Sequence, residues 1–143
     1  MSLNLYLTLL LSCCFIANTP HTKTEQVTVR VRINNIHNID SNLMIAVFSH
    51  YNDFLTERMY KQKMIEVTDF TQTLVEFQVE KGEYAIAAFQ DINKNGDLDR
   101  NMFQYPTEPF GFSNNFRPMF RAPHWTDVAF QAGEDELIEI DLK

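Results

Sequence analysis

The chain has 143 residues, 45% of them hydrophobic and 13% aromatic, which suffices for one domain with an ordinary core and calls for no second one. Its formal charge is -7 and its pI is near 5.0. That balance, with the basic residues scattered, argues against a nucleic-acid or anionic-membrane surface, since both are gripped by clustered Lys and Arg. No internal repeat, low-complexity tract or long charge run is present.

Residues 1–19 hold no Asp, Glu, Lys or Arg, and Leu3 to Ile16 is largely apolar. The stretch reads as an export signal, too short to span a bilayer as a helix of about twenty residues, although no basic residue precedes the apolar run. A buried N-terminal strand or helix is the alternative. Both cysteines, Cys13 and Cys14, lie here, so the mature domain has no disulfide of its own. Leu10-Leu11-Ser12-Cys13 resembles the bacterial lipobox, which would make Cys13 a lipidation site and give the protein its sole membrane attachment, a lipid anchor. Leu11 is bulky for that motif, and Phe15-Ile16 is apolar for the start of a mature lipoprotein. Cleavage near Ala17 to Thr19 would release a soluble protein instead, with residues 20–25 as a polar leader before a domain over 26–143.

In that domain Val27, Val29, Val31 and Ile33 alternate with Thr28, Arg30 and Arg32, the period of a strand with one face on a core and one in water. Leu43 to Phe48 is a continuous apolar run, as expected of a strand covered on both faces. From Tyr51 to Gln62 the alternation breaks. Phe54, Leu55, Met59 and Tyr60 recur at three to five residues, predicting a short helix or helical turn capped by Asn52 or Asp53. Met64 to Val67 and Leu74 to Val79 read as strands, Lys81-Gly82-Glu83 as a turn, and Tyr84 to Phe89 as an apolar strand with alanines where a neighbouring layer presses close.

Asp91-Ile92-Asn93-Lys94-Asn95-Gly96-Asp97-Leu98-Asp99 carries the most specific spacing in the chain. A hard cation takes about six to eight oxygen ligands, supplied by a curling loop from positions 1, 3, 5, 7 and 9 with Gly at 6 for the sharp turn. Asp91, Asn93, Asn95, the Asp97 carbonyl and Asp99 fit those places, making calcium the candidate cofactor. Position 12 is Met102, so the closing Glu of an EF-hand is missing. The other reading is an Asn95-Gly96 hairpin turn whose Asn and Asp side chains cap their own backbone, and both can hold together.

Between Phe103 and Phe130 lie eight aromatics with Pro106, Pro109, Pro118 and Pro123 and almost no periodicity, a long loop of the kind that tends to be functional when ordered. Val128 to Phe130 and Leu137 to Leu142 close the chain as strands. Seven short strands with regular turn signals indicate an all-β, antiparallel β-sandwich with one short helix and a long aromatic-rich loop.

Laid out in this order, the chain resembles the bacterial domain of unknown function 2141 family over about residues 26–142. The carriers are Ala46-Val47-Phe48 with Phe54-Leu55, then Tyr84-Ala85-Ile86-Ala87-Ala88-Phe89-Gln90-Asp91, then Asn93-Lys94-Asn95-Gly96-Asp97-Leu98-Asp99. Most specific is Pro106-Thr107-Glu108-Pro109-Phe110-Gly111-Phe112-Ser113-Asn114-Asn115. Pro109 stands where many members are expected to have Gly, and Arg117-Pro118-Met119 replaces a more Gly-rich turn. The resemblance implies a secreted or periplasmic sandwich of immunoglobulin-like or transthyretin-like type, and no reaction.

Catalytic patterns are sparse. Gly111-Phe112-Ser113-Asn114-Asn115 lacks the second Gly of a nucleophile elbow, so Ser113 and Asn114 are expected to bond loop backbone. His21, His37, His50 and His124 show no zinc-ligand spacing. Asp91, Asp97, Asp99 and Glu108 could run glycoside hydrolysis only if two faced each other at about 5 to 9 Å. The loop aromatics read either as a second small core or as a surface on which Tyr105, Phe112 and Trp125, with Asn114 and Asn115, meet a sugar or peptide. The expectation is therefore a non-enzymatic, exported cell-envelope module whose partner is an envelope protein or a glycan. The competing expectation is a carbohydrate-binding module or glycan-active enzyme using the acidic loop and the Trp125 region.

Overall fold

The computed structural model describes residues 24–71 and 73–143; the expected export signal, the lipobox at Cys13 and most of the polar leader lie outside the described residues. Among the described residues eight strands form two sheets, and the chain is an all-β sandwich. Strands β1 (Gln26–Asn34), β4 (Thr73–Glu80) and β8 (Glu136–Asp141) make one sheet in the order β4-β1-β8. The other runs β3 (Lys61–Val67), β2 (Ser41–Phe48), β5 (Gly82–Asp91), β6 (Phe110–Phe112), with β7 (Phe130–Ala132) pairing the start of β5. A single turn of helix, α1, spans Trp125–Val128.

The period-two reading of β1 holds residue by residue. Val27, Val29, Val31 and Ile33 are buried, while Arg30 is exposed. They meet Val75, Phe77 and Val79 of β4, Leu43, Ile45 and Val47 of β2, Ile86 of β5, and Ile140 and Leu142 at the chain end in one core between the sheets. Each such side chain contributes about 1.5 to 3 kcal/mol by leaving water.

Four expectations are corrected. The strands among the described residues number eight, because Phe110-Gly111-Phe112 inside the predicted loop forms β6 on β5. One pairing is parallel: β8 lies beside β1 in register Val31 to Ile138, so the sandwich is antiparallel in every other ladder. The helix predicted in Tyr51 to Gln62 is absent. That segment makes four-residue turns, with Asp53 N–H donating to the His50 carbonyl (3.1 Å) and Thr56 N–H to the Asp53 carbonyl (3.0 Å). Leu55 adopts φ 58°, which ends any right-handed helix. The helical turn sits instead at Trp125–Val128. Finally, β3 begins at Lys61 rather than Met64, for its first residues are polar and it is an edge strand. Lys63 reaches across to the Glu76 carbonyl of β4 (2.7 Å), and Lys61 to that of Gln78, so ammonium groups cover the two sheet edges.

β6 ties the sheets together at one corner. Phe110 and Lys143 exchange backbone hydrogen bonds at 3.2 and 3.1 Å, joining β6 to the chain that follows β8. The approach is close: a Cβ on Gly111 would lie 2.6 Å from Ile140 Cγ2 and 3.0 Å from the Asp141 carbonyl oxygen, so only glycine fits.

An apolar cavity walled by two braced loops

The outer face of the five-stranded sheet carries a second apolar layer. Strand register places Met44, Phe89 and Phe110 in one row across it, and Ala46, Ala87 and Phe112 in the next. Alanines in the second row leave a depression between larger neighbours. At one end the depression is filled: Ala85, Phe110, Phe112 and Val128 form a small core with Phe54, Phe89, Phe116 and Trp125 packed on it. Phe54 meets Phe48, Trp125 and Phe112 edge-on, with centroids 5.4, 6.0 and 6.4 Å apart, an arrangement that adds to plain burial. At the other end it stays open, as a cavity of about 630 Å³.

Three loops wall the cavity. Leu55, Thr56 and Met59 stand on one side; Leu98, Arg100, Phe103 and Tyr105 on a second; Pro118 to Pro123 on the third. The second wall is a small hairpin in which Asn101 N–H bonds the Tyr105 carbonyl and Gln104 N–H the Asn101 carbonyl, both at 2.9 Å. Asn101 Oδ1 accepts the N–H groups of Phe103 and Tyr105. At its tip Met102 is 86% and Phe103 81% exposed, and across the mouth Met119 is 77% and Phe120 96% exposed. The third wall is fastened by Arg121, whose two terminal nitrogens reach Asp127 at 2.6 and 3.2 Å. That guanidinium, and then the His124 N–H at 2.7 Å, hold the Asp127 carboxyl down at about 2.

The acidic loop braces the second wall from beneath. Asp91, fully buried, accepts the N–H groups of Asn95 (3.1 Å) and Gly96 (2.8 Å). Asn93 Oδ1 accepts Asn95 N–H, and Asn95 Oδ1 accepts Asp97 N–H. The Asn93 and Asn95 amides both donate to Asp99, at 2.6 and 3.1 Å. Gly96 takes φ 87°, the conformation the turn demands. Glu108 closes the loop from the far side: its two oxygens accept Ile92 N–H at 2.8 Å and Asp99 N–H at 3.1 Å. These bonds realise the side-chain capping of the turn reading, and they gather the Asn93 and Asn95 amides on Asp99 while Asp91 holds the Asn95 and Gly96 backbone. Among the described residues no three His, Cys, Asp or Glu side chains cluster as a metal site.

The candidate contact residues separate. Tyr105 and Phe112 line the cavity. Asn114 is structural, donating to the Ala129 carbonyl (3.0 Å), and Asn115 Oδ1 accepts Asp141 N–H (2.8 Å). Trp125 packs in the small core and donates Nε1–H to Glu83 (2.7 Å). Ser113, fully buried, accepts Ile86 N–H at 3.0 Å and donates to the Val128 carbonyl, so it bonds backbone as expected. The sequence reading missed the cavity floor. Its signal was present in the second faces of Leu43 to Phe48 and Tyr84 to Phe89, where alanines alternate with bulky residues.

Searches of curated proteins and of solved structures found no match. Residues 31–139 match the family described as an uncharacterized protein conserved in bacteria, DUF2141, a span that takes in both sheets, the acidic loop and all three cavity walls, and the chain belongs to that family.

Proposed function

We propose that this chain is an exported, non-catalytic β-sandwich module of the cell envelope that holds an apolar ligand in the cavity on its five-stranded sheet. One observation carries the reading: phenyl rings 81% and 96% exposed, Phe103 and Phe120, stand at the mouth of an apolar cavity of about 630 Å³. Water-exposed aromatic side chains at a concave apolar site mark a binding surface, and the volume falls in the range of about 300 to 1,000 Å³ usual for small-molecule sites. The non-catalytic part is supported by the commitments of Asp91, Glu108 and Ser113 to backbone donors. Export is supported by the uncharged, apolar residues 1–19, and the N-terminus of the native protein, read by mass spectrometry, tests it; an intact Met1 overturns it and a diacylglyceryl Cys13 selects the anchored form.

The cavity is tested with a neutral apolar fluorophore, N-phenyl-1-naphthylamine. Its emission should rise and saturate with the full chain. Ala46→Phe, which fills the floor, should abolish the rise, and Phe103→Ser with Phe120→Ser should weaken binding about tenfold. Binding untouched by both changes would remove the cavity as the seat.

A second reading concerns the acidic loop alone. Its support is the meeting of the Asn93 and Asn95 side chains on Asp99, with Asp91 and Glu108 bonding the loop's backbone on either side. Calcium seated there would lock the hairpin that carries Phe103.

A further inference from the structure

The charges around the cavity are lopsided. The chain has 19 acidic and 12 basic side chains, yet among the described residues no Asp or Glu lines the cavity and the two charged lining residues are both arginines, Arg100 and Arg121. Arg121 is neutralised by Asp127 in a two-pronged pair. Arg100 has no carboxylate partner among the described ion pairs; its guanidinium donates to the Gln104 carbonyl at 3.2 Å, which leaves donors of its fork to spare. The rest of the lining is apolar apart from Thr56, Gln62, Gln104 and the Tyr105 hydroxyl. That is too sparse a set of hydrogen-bonding groups to replace the hydration of a sugar's hydroxyls, whose unpaired burial is costly.

We propose that the cavity takes a single-chain amphiphile with an anionic head, the class of fatty-acyl carboxylates. Its apolar chain lies over Ala46 and Ala87 beneath Phe103 and Phe120, and its head meets Arg100. The inference rests on the cavity being a ligand seat and adds the ligand's chemistry. Alkyl carbons find apolar contacts on the floor and at both exposed tips, and a carboxylate supplies the planar two-oxygen partner that suits guanidinium. A bilayer surface fits less well. The apolar tips surround a concavity, and the chain's net charge of -7, with Asp97 beside the second wall, repels anionic lipid headgroups.

The test uses the full chain, with laurate below its micelle concentration, dodecanol and dodecyltrimethylammonium each displacing N-phenyl-1-naphthylamine. Laurate should bind about tenfold or more tightly than dodecanol, and the cation most weakly, because charged hydrogen bonds outweigh neutral ones. Arg100→Gln should bring the laurate-to-dodecanol ratio near one, and Arg100→Lys should retain most of the preference; circular dichroism melts confirm that both variants fold. Equal affinity for laurate and dodecanol, or a preference that survives Arg100→Gln, overturns the head assignment and leaves the cavity reading standing. Failure of the fluorophore and all three amphiphiles overturns both. Binding to anionic phospholipid vesicles without response to monomeric laurate makes the partner a bilayer surface and overturns the proposal.

Discussion

The two sheets differ most on the faces they turn away from each other. The outer face of β4-β1-β8 bears Arg30, Arg32, Glu76, Gln78 and Glu139, with Arg32 paired to Glu139 and Gln78 bonded to Thr28 at 2.9 Å. Water completes that face. The outer face of β3-β2-β5-β6 presents Met44, Ala46, Phe48, Ala87 and Phe89, and water cannot complete it. Loops must cover it, and they do so unevenly: aromatics fill one end and the other is left as a cavity. A site thus arises where a sheet has two apolar faces and only one and a half are filled.

The apolar layer between the sheets should carry far more of the stability than the exposed tips over the outer face. Ile140 is fully buried between the sheets, and Ile140→Ala should cost about 2 to 5 kcal/mol through lost transfer energy and the cavity left behind. Phe120→Ala, at a side chain 96% exposed, should change stability by no more than about 0.5 kcal/mol. Urea denaturation of both variants decides. A loss at Phe120 as large as at Ile140 would mean that this ring belongs to the fold and is not free to meet a ligand.

The acidic loop, which braces the second wall from beneath, offers the next test. In the calcium reading, millimolar calcium should raise the melting temperature and magnesium should do so less, because magnesium dehydrates reluctantly. At a calcium concentration about 100 times Kd the linkage is roughly 2.7 kcal/mol. Asp99→Ala should abolish the shift. Asp91→Ala should abolish it and also lower the melting temperature of calcium-free protein, since that buried carboxylate holds the N–H groups of Asn95 and Gly96. No shift after chelator treatment would leave hydrogen bonds as the loop's only brace.

The smallest effect concerns the third wall. Arg121 and the His124 N–H depress Asp127 from the ordinary 3.8 to about 2, so the pair adds stability that is fully present above pH 3.8 and is lost as pH falls through about 2. Asp127 is only partly exposed but its partner Arg121 is exposed, so salt screens the gain. An NMR titration of the Asp127 carboxyl should show the low midpoint, and Arg121→Gln should move it upward. A midpoint unchanged by that substitution would detach the wall from its anchor.

Local pattern by itself settled the sandwich, the inner face of β1, the Asn95-Gly96 turn and the family, because period-two burial and turn chemistry are written within a few residues of each other. The predicted helix at Tyr51 to Gln62 failed for the opposite reason. Its apolar spacing reflects Phe54 reaching a second core built from residues far along the chain, while Leu55 and Met59 turn toward the cavity. Tertiary structure alone decided that β8 runs parallel to β1, that Gly111 lets β6 pass Ile140, and that Glu108 closes a loop begun at Asp91. It alone also turned the second faces of β2 and β5 into a cavity floor with Arg100 at its wall. Each of these depends on groups brought together across long stretches of chain, where spacing in sequence carries no record of distance in space.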